Sequence, residues 1–207
     1  MNFSSIQHVP EAHSLIQKAT ESANFTMPSD MLTCGLLKTL AATKIGGSFL
    51  ELGTGTGLST AWILDGMDNE TSLISFDNDP ELISIASKFL KDDSRLNLVV
   101  ADGEDWIMEN REKRFDYIFA DTWHGKYLLL DETINMLKEG GLYIVDDMIP
   151  HENWPEGHKE KAENLVLALE RREDVTISKL SWATGIIIAS KKKGQNCLSS
   201  GLLKTSL

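Results

Sequence analysis

With 207 residues the chain is long enough for one domain with a sizeable core and does not need a second; 42% apolar and 25% charged residues are ordinary for a soluble globular protein. A formal net charge of −11 weighs against DNA or RNA as substrate, and the Lys191-Lys192-Lys193 run is too short to make a basic patch. Cys34 and Cys197 show neither metal-ligand nor redox-pair spacing, the N-terminus lacks a basic start with an apolar core, and no apolar stretch approaches the ~20 residues of a membrane span, so a cytoplasmic protein with no disulfide framework and no membrane partner is expected.

Ala12, Leu15, Ile16, Ala19 and Ala23 recur at helical spacing, which predicts a helix over 11–23. Thr26-Met27-Pro28-Ser29 ends it, and Ser29 is placed to cap a second helix running to about Thr43 on Leu32, Leu36, Leu37 and Leu40. These N-terminal helices, within 1–45, cap the rest of the fold. From Ser48 onward strands and helices alternate. Phe49–Leu52, Ser72–Phe76, Leu96–Ala101, Tyr117–Ala120 and Leu142–Val145 are near-continuous apolar runs of the kind buried on both faces of a parallel sheet, and helical patterns fall over 58–66, 80–91, 103–110 and 126–138. A helix over Glu156–Arg172, with Ala162, Leu165, Val166 and Leu169 inward, precedes two strands, Val175–Leu180 and Gly185–Ala189, close enough to form an antiparallel hairpin. The expectation is an α/β, doubly wound, seven-stranded sheet, mostly parallel with an antiparallel last strand and helices on both faces, in a single domain over 1–193. The polar segment 194–207 has no period and reads as a flexible tail.

The most informative turn is Glu51-Leu52-Gly53-Thr54-Gly55-Thr56-Gly57-Leu58-Ser59, where an apolar run stops at three glycines spaced two apart and a helical pattern begins. Glycine tolerates positive φ and has no Cβ to hold a ligand off, and the helix start offers free N–H groups. A dinucleotide fingerprint wants glycine at the sixth place, which here is Leu58. The Glu-x-Gly-x-Gly-x-Gly pattern instead resembles motif I of the class I S-adenosylmethionine-dependent methyltransferases. That resemblance implies a Rossmann-like sheet, a loop of Gly53, Thr54, Gly55, Gly57 and Ser59 curving round the methionine end of the cofactor, and Glu51 near its amino group.

Ligands in open parallel sheets bind beyond the carboxyl ends of the strands, and those ends are acidic here. After the second strand comes Asp77-Asn78-Asp79; Asp77 lies 20 residues beyond Gly57, where an acid can take both ribose hydroxyls, while Asp79 before Pro80 suits a helix cap. After the third, Asp102-Gly103 stands where the family flanks adenine, with Trp106 as either a ligand contact or a core aromatic. Asp121 follows the fourth strand and Asp146-Asp147 the fifth. Strands ~4.8 Å apart can bring three carboxylates to one point, where a hard cation such as Mg²⁺, Mn²⁺ or Ca²⁺ would neutralise them.

Asp121-Thr122-Trp123-His124-Gly125-Lys126-Tyr127 and Asp146-Asp147 sharpen the resemblance to the catechol and caffeoyl-coenzyme-A type O-methyltransferases. The likeness runs from about Ser48 to Asp147. It implies transfer of a methyl group to an oxygen of a small molecule, Asp121, Asp146 and Asp147 as metal ligands, Asp121 also beside the cofactor, and often a homodimer. Two positions depart from the family. His124 stands in the place of a lysine and Asp147 in that of an asparagine. His124 is therefore a candidate base, since imidazole titrates near neutral pH, or a metal ligand, or a bystander. Three other readings stay open: metal-independent transfer with His124 as base, a non-catalytic cofactor-binding module, and an NAD-dependent oxidoreductase. The loop over 148–158, with two prolines, Trp154 and histidines, reads as a substrate lid or a rigid connector.

Overall fold

The computed structural model describes residues 6, 8–150, 154 and 156–194. Fourteen elements occur in order: α1 (His13–Ser22), α2 (Met31–Ala41), β1 (Ser48–Leu52), α3 (Leu58–Gly66), β2 (Ser72–Asp77), α4 (Pro80–Leu90), β3 (Leu96–Val100), α5 (Gly103–Asn110), β4 (Phe115–Ala120), α6 (Leu130–Asn135), β5 (Leu137–Val145), α7 (His158–Glu170), β6 (Val175–Leu180) and β7 (Ile186–Lys191). The strands form one sheet in the order β3-β2-β1-β4-β5-β7-β6. Pairing is parallel except along β7, which runs antiparallel to β5 and β6. The seven-stranded, mostly parallel sheet with its inserted last strand is as expected, and the expected hairpin closes it.

Side chains alternate across the sheet, and both faces are covered. Leu50, Leu52, Ile118, Ala120, Tyr143 and Val145 pack on one face with Trp106 and Ile107 of α5, Ile134 of α6, and Leu165 and Leu169 of α7. Phe49, Leu73, Tyr117, Phe119 and Ile144 pack on the other with Ile16 of α1, Leu37 of α2, Ile63 of α3 and Leu90 of α4. Trp106 is a core aromatic, stacked on Phe76 with ring centroids 4.9 Å apart.

Three local expectations are corrected. Ser29 does not cap α2. That cap is Asp30, whose carboxylate accepts from Leu32 N, and the Ser29 hydroxyl is free to turn elsewhere. The helix expected over 126–138 shrinks to α6, because Leu129 adopts φ 56 and Trp123–Leu128 close on themselves in a turn with Tyr127 N and Leu128 N both donating to Trp123 O. β5 begins at Leu137 rather than Leu142: its pairing with β4 shifts register between Phe115 and Tyr117, where Gly140 at φ 76 lets extra residues bulge out and mask the strand in the sequence. Residues 195–207, most of the expected tail, and 151–153 and 155 of the 148–158 loop lie outside the described residues.

Candidate active site

The sheet reverses its winding between β1 and β4, and the cleft opens beyond the carboxyl ends of these strands, where such folds bind ligands. Its volume of about 590 Å³ suits a small organic molecule. One wall is the glycine loop with Asp77 and Asn78; the opposite wall is Asp121, Trp123, Lys126, Tyr127, Asp147 and His158. The segment joining α1 to α2 supplies the roof through Phe25, Met27 and Ser29.

At the loop, Gly53 sits at φ 99, and a Cβ there would come within 3.0 Å of the Asp121 carbonyl oxygen. Any side chain would force the two strand ends apart. Asp77 holds the loop in shape, accepting from Gly55 N at 2.8 Å with one oxygen and from Asp79 N at 3.0 Å with the other, while still lining the cleft. Asp79 takes the cap of α4, accepting from Glu81 N and Leu82 N. Thr20 of α1 meets Thr56 in a 2.7 Å hydroxyl contact, tying the N-terminal helix to the loop.

Glu51 lies beneath the loop rather than on the cleft wall. It is fully buried beneath the loop, accepting from the hydroxyls of Ser59 (2.7 Å), Thr60 (2.6 Å) and Ser75 (2.6 Å), and it does not line the cleft. Burial pushes its pKa up to about 7 against the pull of those three donors. Ser59 and Thr54 are spent in the same network, Thr54 through a 2.6 Å contact with Ser75, although both border the cleft. Asp102 is exposed and caps α5 through Glu104 N and Asp105 N. The small side pocket next to it is lined instead by Ala101, Gly103, Asp77, Asn78 and His124.

His124 faces that side pocket, not the acidic wall. Its ring lies so close to Gly103 that a Cβ on the glycine would come within 2.8 Å of Nδ1. The positive charge at the acidic wall comes from Lys126, which in the sequence looks like no more than the first turn of a helix. Its side chain is 4% exposed, its Nζ donates to the Asp146 carbonyl oxygen at 2.6 Å, and it borders the Tyr127 ring at 5.1 Å. Burial depresses its pKa, while the charges of Asp121, Asp147 and Asp146 raise it. Burial pushes the Asp121 carboxyl well up, helped by Asp146 and opposed by Lys126 and by the Ser29 hydroxyl, which donates to Asp121 Oδ2 at 3.2 Å. Ser29 is thus a second site residue that its sequence context hides, because its type suits the neighbouring cap.

The three carboxylates do not assemble as a metal centre. Asp146 is turned inward, one oxygen accepting from Thr184, Thr33 and the amide of Asp147, and burial raises its pKa. Asp147 sits at φ 55, a left-handed conformation that aspartate tolerates better than most residues, and it faces the cleft. Among the described residues, no group of three or more His, Cys, Asp or Glu side chains is arranged to hold a metal ion. Asp121 and Asp147 line the cleft together with the buried Lys126, whereas Asp146, held by its hydroxyl and amide donors, does not.

Aromatic rings crowd the mouth. Trp123, which is 46% exposed, Tyr127 and His158 meet edge to face at 5.3 to 6.0 Å, Trp154 lies 4.5 Å from His158, and Lys161 Nζ stands 5.3 Å from the Trp123 ring. Trp154 therefore packs back onto α7. Trp182, between the last two strands, is anchored by a 2.9 Å hydrogen bond from Nε1 to Leu32 O.

Residues 50–148 match a family model described as a methyltransferase domain. A curated relative named "Putative O-methyltransferase" from Mycobacterium ulcerans is 27% identical over 117 residues, covering 53% of this chain and 51% of its own length. The chain thus spans about half the length of the curated relatives it matches. Among solved structures, an O-methyltransferase from Bacillus cereus in complex with SAH superposes with TM-score 0.78 at 16% identity, covering 92% of this chain and 93% of that one. TomG, an O-methyltransferase from Streptomyces achromogenes in complex with SAM, gives TM-score 0.78 at 17% identity with the same coverage. The resemblance drawn from the sequence is borne out, and at these identities the structural likeness speaks for the fold. No helix among the described residues is long and apolar enough to cross a membrane.

Proposed function

We propose that this chain, built on a class I methyltransferase core over residues 50–148, is an S-adenosylmethionine-dependent O-methyltransferase acting on a small molecule. The observation that carries the reading is the union in one cleft of the glycine loop, the acid Asp77 beside it, and an acidic wall holding Asp121, Lys126 and Asp147. The loop and Asp77 fit the nucleoside and methionine parts of the cofactor, and His124 with Gly103 and Asn78 belongs to the adenine side rather than to proton transfer. Bound there, the cofactor supplies a sulfonium methyl that passes to the acceptor oxygen, the C–S bonding pair staying on sulfur and the acceptor's proton leaving to a base.

This chain's own part is mostly to hold the two reactants in line, a contribution that can reach ~7–11 kcal/mol, against the ~10²–10⁴-fold of a general base. Phe25 and Met27 border the cleft above the loop, Trp123 and Tyr127 offer ring faces to the acceptor, and the carboxylates of Asp121 and Asp147 are groups on the acceptor wall able to take the proton. Among the described residues no group of three or more His, Cys, Asp or Glu is arranged to hold the Mg²⁺, Mn²⁺ or Ca²⁺ that the resemblance implies, and this scheme routes no step through a cation. A homodimer and a cytoplasmic setting remain expectations from the sequence.

The test is thermal unfolding with S-adenosylhomocysteine or NAD. Ligand at ~100 Kd stabilises by ~2.7 kcal/mol, so S-adenosylhomocysteine should raise the melting temperature and NAD should leave it unchanged. Stabilisation by NAD alone would return the oxidoreductase reading. Binding without methyl transfer to any of a broad panel of hydroxylated small molecules would favour the non-catalytic module.

A further inference from the structure

Lys126 is the feature that the family pattern does not explain. A lysine that is 4% exposed needs opposite charge or full hydrogen bonding to stay folded in. The sequence supplies a frame for it. Tyr143, on the strand beside β4, donates through its hydroxyl to Gly125 O, and Gly125 N donates to Leu128 O at 2.6 Å, so the turn carrying Lys126 is pinned to the sheet. Gly125 takes φ 83, and a Cβ there would strike Leu52 at 2.6 Å. The turn can therefore lie flat only with glycine, and this geometry directs the next side chain, Lys126, inward. An ammonium has three N–H donors, of which one goes to Asp146 O. The side chain also lines the cleft beside Asp121, Tyr127 and Asp147.

We propose that the Lys126 ammonium replaces the divalent cation in this cleft, compensating the charge of Asp121, Asp146 and Asp147 and donating a hydrogen bond to the oxygen of the methyl acceptor, so that the site works without a metal. The proposal rests on the O-methyltransferase reading and adds the acceptor's class to it. A divalent cation gathers two neighbouring oxygens into its shell, which restricts acceptors to vicinal diols. An ammonium needs only one oxygen, so the acceptor here carries a single hydroxyl beside an aromatic or apolar body that the Trp123 and Tyr127 rings can meet.

Mn²⁺ titration followed by electron paramagnetic resonance tests this, with S-adenosylhomocysteine present. The wild-type chain should leave the free Mn²⁺ signal undiminished into the millimolar range. Lys126→Met, shown to be folded by its melting transition and by retained S-adenosylhomocysteine binding, should gain saturable Mn²⁺ binding that a further Asp147→Asn change removes. A purely structural lysine gives no such gain. Saturable Mn²⁺ binding by the wild type that Asp147→Asn abolishes overturns the proposal, as does a folded Lys126→Met variant that binds none. Should Lys126→Met not fold, Lys126→Gln, which keeps a hydrogen-bond donor for Asp146 O, takes its place in the same titration, with the same gain expected and its absence overturning the proposal. S-adenosylhomocysteine binding, measured separately, reports on the underlying functional reading, so the two can fail independently.

Discussion

At the glycine-loop end of the cleft, the buried acid Glu51 is held by three hydroxyls and no cation; at the other end, Asp121, Asp146 and Asp147 share the surroundings of the Lys126 ammonium. Both ends bury carboxylate, but the loop end stabilises it by donors that remain neutral, and the acidic end by charge. The difference reflects what each end has to do. Glu51 anchors a loop to the helix start behind it, and hydroxyls suffice for a group buried beneath the cleft. Asp121 and Asp147 border the cleft, where a positive charge and a free donor are chemically useful. Neutral donors leave Glu51 close to its protonation point near neutral pH, whereas the acidic end exchanges attraction between its groups with every proton it takes up.

Removing the charge from the acidic end should produce the largest effect. Lys126→Met leaves buried carboxylates without a counter-charge, a loss of about 3–5 kcal/mol in unfolding free energy at pH 8. Without the ammonium, the folded-state pKa of Asp121 rises further above its unfolded value, so the penalty is complete above the folded pKa and absent below the unfolded one. Urea unfolding should therefore show the deficit shrinking as pH is lowered toward 5; a deficit independent of pH would mean that Lys126 contributes packing rather than charge.

Glu51→Gln probes the other end. Its folded pKa of about 7 lies above the ordinary 4.5, so the wild-type carboxylate costs nothing below pH 4.5 and carries its full penalty above about 7. At about 1.36 kcal/mol per pKa unit, the variant should gain about 3 kcal/mol relative to the wild type between those limits. Stability curves against pH that stay parallel would show that the three hydroxyls fully offset burial. The comparison would then lose its sharpest term.

The smallest effect belongs to Asp77→Asn. An amide keeps one acceptor oxygen, so one of the bonds from Gly55 N and Asp79 N is lost, and S-adenosylhomocysteine should bind about tenfold more weakly, ~1.4 kcal/mol by calorimetry. Unchanged affinity would place Asp77 in the loop's architecture alone.

The sequence by itself determined the sheet, the glycine loop and the identity of the acidic strand ends. Apolar runs and helical periods are local signals, and burial on both faces leaves its mark in the inner strands β1, β2 and β4. The caps at Asp79 and the short helices α3 and α5 were legible for the same reason, since capping and turn chemistry act within a few residues. Only the tertiary structure decided which groups face the cleft. Glu51 and Asp77 are both acids near the loop, yet Glu51 lies within β1, buried under it, and Asp77 closes β2 beside it. His124 and Lys126 stand two apart on one turn, yet the close approach of Gly103 draws the histidine to one side and the Gly125 bend sends the lysine to the other. Ser29 reaches Asp121 across 92 residues of chain. Such placements depend on how turns pack against distant strands, a physical property that residue type and spacing along the chain do not carry.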